Sequence, residues 1–138
     1  MMTRYLNFSV LLSAVVYGWS LNVTVKGVQV DPDSSIGIGL FRQDDPYPTV
    51  GKEYKGVYLL ADSPELTYSF KNIEGGIYAV SVYHDKNENR MLDENFFGIP
   101  TEGYGFSNNA RGIFSAPSFK EASLIVDGDK SITVNLHY

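Results

Sequence analysis

The sequence predicts an all-β fold, an antiparallel Greek-key β-sandwich of about seven strands. In most segments apolar residues recur at every second position, which is the period of a strand with one buried face. Short polar turns separate these segments, and no segment of useful length has helical periodicity. Ten tyrosines and eight phenylalanines also favour β-structure. Seven strands in about 118 residues are typical of a two-sheet sandwich, with a small closed barrel as the alternative.

Five of the predicted strands alternate regularly between apolar and other residues. In the second of these, glycines lie opposite the apolar side chains, and the turns between strands carry Gly, Asp or Asn residues that tolerate tight bends. In chain order, the residues predicted to face inward are Leu21, Val23 and Val25; Ile36, Ile38 and Leu40; Leu66, Tyr68 and Phe70; Tyr78, Val80 and Val82; and Ile132, Val134, Leu136 and Tyr138.

Two shorter segments complete the set of predicted strands. GVYLLA, residues 56–61, follows an irregular loop at 43–54 that carries two prolines and a glycine. EASLIVD, residues 121–127, leads through a Gly-Asp turn into the last strand. Because that strand runs to Tyr138, we expect the C-terminus to be paired in a sheet.

Residues 1–20 are predicted to form a signal peptide, and residues 21–138 to form the β-sandwich domain. Arg4 precedes an apolar run from Phe8 to Tyr17, which is too short for a spanning helix of about 20 residues. Small residues precede a plausible cut after Ser20, and all sixteen acidic residues lie beyond it. The alternative for this run is a first buried strand or helix. We therefore expect an exported protein, periplasmic or extracellular, with no transmembrane segment in the mature chain.

The composition excludes several classes of function. The formal net charge is −5 and the lysines are scattered singly, so no basic patch is available to neutralise the phosphates of a nucleic acid. The chain has no cysteine, which excludes disulfides, thiolate metal sites and cysteine nucleophiles.

A long insertion at residues 84–112 separates two predicted strands. Its opening segment, DKNENRMLD, carries side-chain oxygens at the first, third, fifth and ninth places, with a backbone carbonyl available at the seventh. This is the spacing with which EF-hand loops surround Ca²⁺, a cation that takes six to eight oxygen ligands. The predicted ligands are the side chains of Asp85, Asn87, Asn89 and Asp93 and the carbonyl of Met91.

The segment departs from a complete calcium loop at two places. Arg90 stands where a glycine usually makes the sharp turn, and Phe96 stands at the place of the bidentate glutamate. A further carboxylate would have to come from Glu94 or Glu102. We therefore expect weak binding, in the micromolar to millimolar range. The alternative is a solvated turn, because Asp and Asn favour turns in any case.

The segment YAVSVYHDKNENRMLDENFFGIPTEGYGFSNNARG, residues 78–112, resembles the motif of a bacterial family of secreted proteins, domain of unknown function 2141. Pro117-Ser118-Phe119 and the final KSITVNLHY also fit this family, whereas residues 21–75 agree more loosely. The main departure is again Arg90, where many members have glycine. The resemblance implies a signal peptide and one β-sandwich of immunoglobulin-like or prealbumin-like type, and it implies no established activity.

The second half of the insertion, residues 98–112, allows two interpretations. Tyr104, Phe106, Asn108 and Asn109 would suit a ligand surface for sugars or peptides. The alternative is a self-packed loop, in which the glycines permit tight bends and the aromatic side chains fill one end of the sandwich.

The sequence does not favour an enzymatic function. The chain has two histidines, His84 and His137, and neither accompanies a nucleophile motif. We expect His84 to be a strand-end residue that hydrogen-bonds the loop backbone. The predicted function is an exported, non-catalytic binding or structural module with a weak calcium-binding loop at residues 85–93. We expect the protein to be monomeric or weakly associating and to contact an unidentified ligand or envelope component. The alternative is a small extracytoplasmic hydrolase that uses His84 and nearby carboxylates.

Overall fold

A computed structural model describes residues 18–93, 100–112 and 115–138 of the chain. These residues form eight strands, one short 3₁₀ turn and one single-turn helix, which confirms the all-β class. The strands are β1 (Trp19–Lys26), β2 (Asp31–Arg42), β3 (Lys55–Ala61), β4 (Glu65–Ile73), β5 (Gly76–Asp85), β6 (Tyr104–Phe106), β7 (Ser123–Val126) and β8 (Lys130–Asn135), with the 3₁₀ turn at Ser107–Asn109 and helix α1 at Phe119–Ala122.

The strands form two sheets, as expected for a sandwich. The smaller sheet has the order β4-β1-β8, and the larger has the order β3-β2-β5-β6, with β7 also paired to β5. All of these pairs are antiparallel except β1 with β8, which run parallel. The parallel pair places the first and last strands of the described chain side by side. The Greek-key connectivity stays a prediction.

The core lies between the two sheets, where the alternating apolar residues meet. Leu21, Val23 and Val25 of β1 are fully buried, and so are Val80 and Val134. Burying a side chain of this kind stabilises a fold by about 1.5–3 kcal/mol. Among the residues predicted to face inward, Tyr138 differs, because half of its surface is exposed, although its hydroxyl reaches the buried His84 ring.

The outer face of the larger sheet is also covered. The ring of Tyr47 meets the rings of Phe41 and Phe119 edge to face, with centroid distances of 5.5 and 5.6 Å. Helix α1 begins with a capping box, in which the Ser118 hydroxyl accepts from the backbone N–H of Glu121 and the Glu121 side chain returns to Ser118. The loop after β2 and helix α1 therefore pack against the outer face near the beginning of β5, whereas the insertion leaves from the other end of this strand.

The predicted signal peptide falls almost entirely on residues 1–17, which lie outside the described residues. Strand β1 begins at Trp19, and the backbone N–H of Ser20 donates to the Asp129 carboxylate at 2.9 Å, so the last two residues of the predicted signal segment belong to the sheet. In the part of the chain that the structure describes, no helix is long and apolar enough to cross a membrane.

Candidate cation-binding loop

Asp85, the first predicted ligand, is the last residue of β5 and is fully buried. Its carboxylate accepts hydrogen bonds from the backbone N–H groups of Asn89, at 3.2 Å, and Arg90, at 2.7 Å. A buried carboxylate needs such donors, because losing water without replacing its hydrogen bonds would be costly. The Asp85 carboxylate therefore holds the backbone of the first turn in place.

Asn87, Asn89 and Asp93 meet on the other side of this turn. The side-chain amide of Asn89 donates to Asp93 at 2.8 Å, and that of Asn87 donates to the second oxygen of the same carboxylate. The Oδ1 atom of Asn89 accepts from the backbone N–H of Met91 at 3.0 Å, which fixes the orientation of this amide. The structure thus brings together the side chains of Asn87, Asn89 and Asp93, whereas the Asp85 carboxylate is bonded to backbone N–H groups of the same loop.

Glu102, one of the two carboxylates considered as a further ligand, joins both ends of the loop. Its side chain is nearly buried and accepts from the backbone N–H of Lys86 at 2.6 Å and of Asp93 at 2.9 Å. The Asp93 carbonyl in turn accepts from the backbone N–H of Thr101 at 2.8 Å. The other candidate, Glu94, and Phe96 at the twelfth place lie outside the described residues.

The sharp turn that a glycine would make is present despite Arg90. Glu88 and Arg90 both adopt the left-handed conformation, with φ values of 54° and 59°. This conformation costs a side-chain-bearing residue about 1–2 kcal/mol, which explains why glycine suits the sixth place. The Arg90 guanidinium lies 4.2 Å from the centre of the Tyr58 ring, and this cation–π contact offsets part of the cost.

The two basic side chains of the loop are directed away from its carboxylates. Arg90 stacks on Tyr58, while the Lys86 ammonium donates to the Gln29 side chain at 2.9 Å and lies 5.0 Å from the centre of the Tyr138 ring. Among the described residues the one ion pair is Arg42 with Asp45, at the opposite end of β2. The carboxylates of the loop are therefore held by neutral N–H donors.

Hydrogen bonding keeps the Asp93 carboxylate ionised. The bond from Asn89, and then those involving Asn87 and Glu102, hold the pKa of Asp93 below its usual value, although burial acts in the opposite direction. The Glu102 carboxylate also lies beside Asp93, because it accepts from the Asp93 backbone N–H at 2.9 Å. Two adjacent acidic groups raise the negative charge at the point where the loop closes.

This donor set fits a hard cation rather than a transition metal. Within 18–93, 100–112 and 115–138, no three His, Asp or Glu side chains are gathered so that they could hold a metal by themselves. A cation here would need amide and backbone oxygens in addition to Asp85 and Asp93, which is the mixed oxygen set that Ca²⁺ accepts. The amides of Asn87 and Asn89, which now donate to Asp93, would have to turn their oxygens toward the ion.

His84 is fully buried, and both ring nitrogens are hydrogen-bonded to side chains. Nε2 lies 2.6 Å from the Ser34 hydroxyl and Nδ1 lies 2.6 Å from the Tyr138 hydroxyl. Because Ser34 donates its one hydrogen to the Asp31 carbonyl, at 2.8 Å, it accepts from Nε2–H. The Tyr138 oxygen also accepts from the Gln29 N–H at 3.0 Å. The partners of the ring are thus side chains rather than the loop backbone that the sequence predicts, whereas the backbone N–H of His84 donates to the Gly103 carbonyl of the insertion at 2.8 Å.

Burial is the main cause that lowers the pKa of His84 below its usual value. The positive charge of Lys86 lowers the pKa further, while the carboxylates of Asp31 and Asp85 raise it. The neutral form is therefore favoured in the folded protein.

The SNN motif that follows β6 has a structural role that the sequence did not indicate. Its three side chains form hydrogen bonds with backbone groups of β5, of the α1–β7 junction and of β8. These polar side chains therefore connect elements of the fold. The bonds are Ser107 Oγ with the N–H of Val80 (2.9 Å) and the carbonyl of Ala122, Asn108 Nδ2 with the carbonyl of Ser123 (2.7 Å), and Asn109 Oδ1 with the N–H of Asn135 (3.0 Å).

Comparison with known proteins gives a family and no individual relative. Neither the search of curated proteins nor the search of solved structures found a match. The immunoglobulin-like or prealbumin-like type of the sandwich therefore stays a prediction. A family profile described as an uncharacterized protein conserved in bacteria matches residues 23–135, which span both sheets and the whole insertion. The chain belongs to this bacterial family, domain of unknown function 2141.

Proposed function

We propose that this chain is an exported binding or structural module whose loop at residues 85–93 binds Ca²⁺ weakly. One observation carries the proposal. The carboxylates of Asp85, Asp93 and Glu102 close a single loop, while its two basic side chains are stacked on tyrosine rings instead of neutralising them. A divalent cation would supply the missing positive charge.

The cation would stiffen a segment that is already closed. In its absence Asp93 is held by two side-chain amides and Asp85 by two backbone N–H groups. In its presence the same carboxylates would bind the ion, and the amides would contribute oxygens. Because Glu102 joins the start and the end of the loop, stiffening would extend to Thr101 and Tyr104 in the second half of the insertion.

The arrangement of His84 favours the binding module over the hydrolase. A general base must reach a proton of the substrate, directly or through one water. The His84 ring has no exposed surface, and Ser34 and Tyr138 occupy both of its nitrogens.

Thermal unfolding tests the cation site directly. A cation that binds only the folded state stabilises it by about 2.7 kcal/mol at a hundredfold excess over Kd. For a domain of this size the midpoint should then rise by roughly ten degrees. We expect this rise with calcium and a smaller one with magnesium, relative to a chelator.

Two variants make the test specific to the loop. Asp93→Asn should abolish most of the calcium-dependent rise, because it removes the carboxylate at which both asparagines converge. Asp127→Asn, an exposed carboxylate after β7, removes the same charge elsewhere and should leave the rise intact. An equal response in the two variants would assign the effect to general surface charge, and the proposal would fail.

A further inference from the structure

Two adjoining cavities lie on the outer face of the larger sheet, beside the candidate loop. The larger has a volume of ≈ 700 Å³ and the smaller of ≈ 340 Å³. Val50, Ser81 and Tyr83 line both of them, so together they form one elongated recess, here called the outer recess. Pockets of about 300–1,000 Å³ are the size that proteins use for small molecules.

The floor of the outer recess is shaped by glycine. A Cβ atom at Gly37 would lie 2.4 Å from the Tyr83 ring, and one at Gly39 would lie 3.0 Å from the Phe41 ring. Because real Cβ atoms do not approach other atoms that closely, glycine is what allows the Tyr83 ring to lie against the sheet. The ring also meets Tyr58 edge to face, at a centroid distance of 6.0 Å.

The outer recess contains polar atoms that have no partner. Tyr83 is only 7% exposed, and its hydroxyl makes no hydrogen bond with any residue that the structure describes. The same is true of the buried hydroxyl of Tyr58, which lines the smaller cavity. Most buried polar atoms in proteins are hydrogen-bonded, so these two hydroxyls, which are unpaired among the described residues, leave hydrogen-bonding capacity unused at the recess.

The walls indicate the chemistry of that partner. The larger cavity is lined mainly by apolar and aromatic side chains, including Met91, Leu92, Tyr104 and Phe106, and none of its described lining residues is charged. Arg90 and Glu53, which carry opposite charges, line the smaller cavity. The outer recess therefore offers an apolar body, a few hydrogen-bonding groups and no net charge.

We infer that the outer recess is a binding site for a small, uncharged, mainly apolar molecule that carries a hydrogen-bonding group. The apolar part occupies the larger cavity, and the polar group pairs with the Tyr83 hydroxyl where the two cavities meet. This inference specifies the ligand class of the proposed binding module, and it does not require the cation. Met91 and Leu92 nevertheless connect the site to the loop, because they belong to both.

The test uses N-phenyl-1-naphthylamine, an uncharged aromatic molecule with one N–H group whose fluorescence rises in apolar surroundings. We expect saturable binding to the full protein at micromolar concentrations. Tyr83→Phe, which removes only the hydroxyl, should weaken binding about fivefold, the equivalent of one neutral hydrogen bond. Ser81→Leu, which places a larger side chain in both cavities, should weaken it by about tenfold or more.

Ser131→Leu is the matched control, because it makes the same substitution at an exposed strand position of the other sheet. It should bind the probe as the unaltered protein does. Thermal unfolding of each variant checks that the fold is retained, and Tyr83→Phe keeps the test informative if Ser81→Leu does not fold. Absence of binding, or equal binding by all three variants, would overturn the inference.

Each titration is run in calcium and in chelator. Because the outer recess does not require the cation, the probe should still bind in both conditions if the cation proposal fails. Failure of the recess proposal would remove binding in both.

Discussion

Replacing Asn89 with aspartate separates a cation site from an ordinary turn, because the two interpretations predict opposite effects of calcium. The Asn89 amide donates to Asp93 at 2.8 Å, a hydrogen bond to a charged group. Asn89→Asp exchanges that bond for two like charges at the same place. Because Asn89 is exposed and Asp93 is partly exposed, water screens their interaction, and the loss of the bond and the repulsion together should lower the free energy of unfolding only slightly in chelator.

Calcium should reverse this loss. A third carboxylate among the predicted ligands increases the charge that attracts the ion, and affinity in such loops depends on ligand charge. If the affinity rises about tenfold, the calcium-dependent stabilisation grows by about 1.4 kcal/mol. Differential scanning calorimetry in chelator and in calcium would show a lower midpoint in the first condition and a larger rise in the second.

The matched control is Asn72→Asp, which adds the same charge at an exposed residue near the end of β4. It should leave the size of the calcium response unchanged. If Asn89→Asp were destabilised equally in chelator and calcium, the loop would be a solvated turn, and the reasoning from ligand spacing would be refuted.

Three further predictions follow from hydrogen bonds and backbone angles. Because folding lowers the pKa of His84, its contribution to stability is fully present above the unfolded pKa of about 6.5. Below that pH the free energy of unfolding should fall, by up to about 1.4 kcal/mol per pH unit. Chemical denaturation from pH 7 to 5 should show this slope, and the slope should be smaller in His84→Gln but unchanged in His137→Gln. Arg90→Gly should change the free energy of unfolding by less than about 1 kcal/mol, because relief of the left-handed φ offsets the lost contact with Tyr58, whereas Arg90→Val should cost about 2 kcal/mol or more in urea denaturation. Ser107→Ala should cost at least about 2 kcal/mol, because it leaves buried backbone groups of β5 unpaired, and an intact urea midpoint would contradict the role assigned to the SNN motif.

The sequence predicts the core well because strand periodicity is a local property. In β5 the alternation of Tyr78, Val80 and Val82 with Ser81 and Tyr83 correctly separates the core face from the outer face. The convergence of the loop side chains was also predictable, since ligands spaced by two residues are close in the chain.

Other features depend on residues that are far apart in sequence, and local patterns do not show them. The parallel pairing of β1 with β8 and the hydrogen bond between His84 and Tyr138 each join distant parts of the chain. The outer recess could not be predicted for the same reason. The need for glycine at position 37 arises only from the Tyr83 ring, which lies against it and is distant in the sequence. One local signal was overlooked: Ser118 and Glu121 have the spacing of a capping box and mark the start of α1.

The parallel pairing of β1 with β8 has a consequence for biogenesis. Strand β1 is the central strand of the smaller sheet, so this sheet is incomplete until β8, more than a hundred residues later, reaches it. Contacts this distant in sequence slow folding, because the loop between them must close first. The smaller sheet therefore reaches its full width only after β8 has been synthesised, whereas β2, β3 and β5 of the larger sheet can pair before that point.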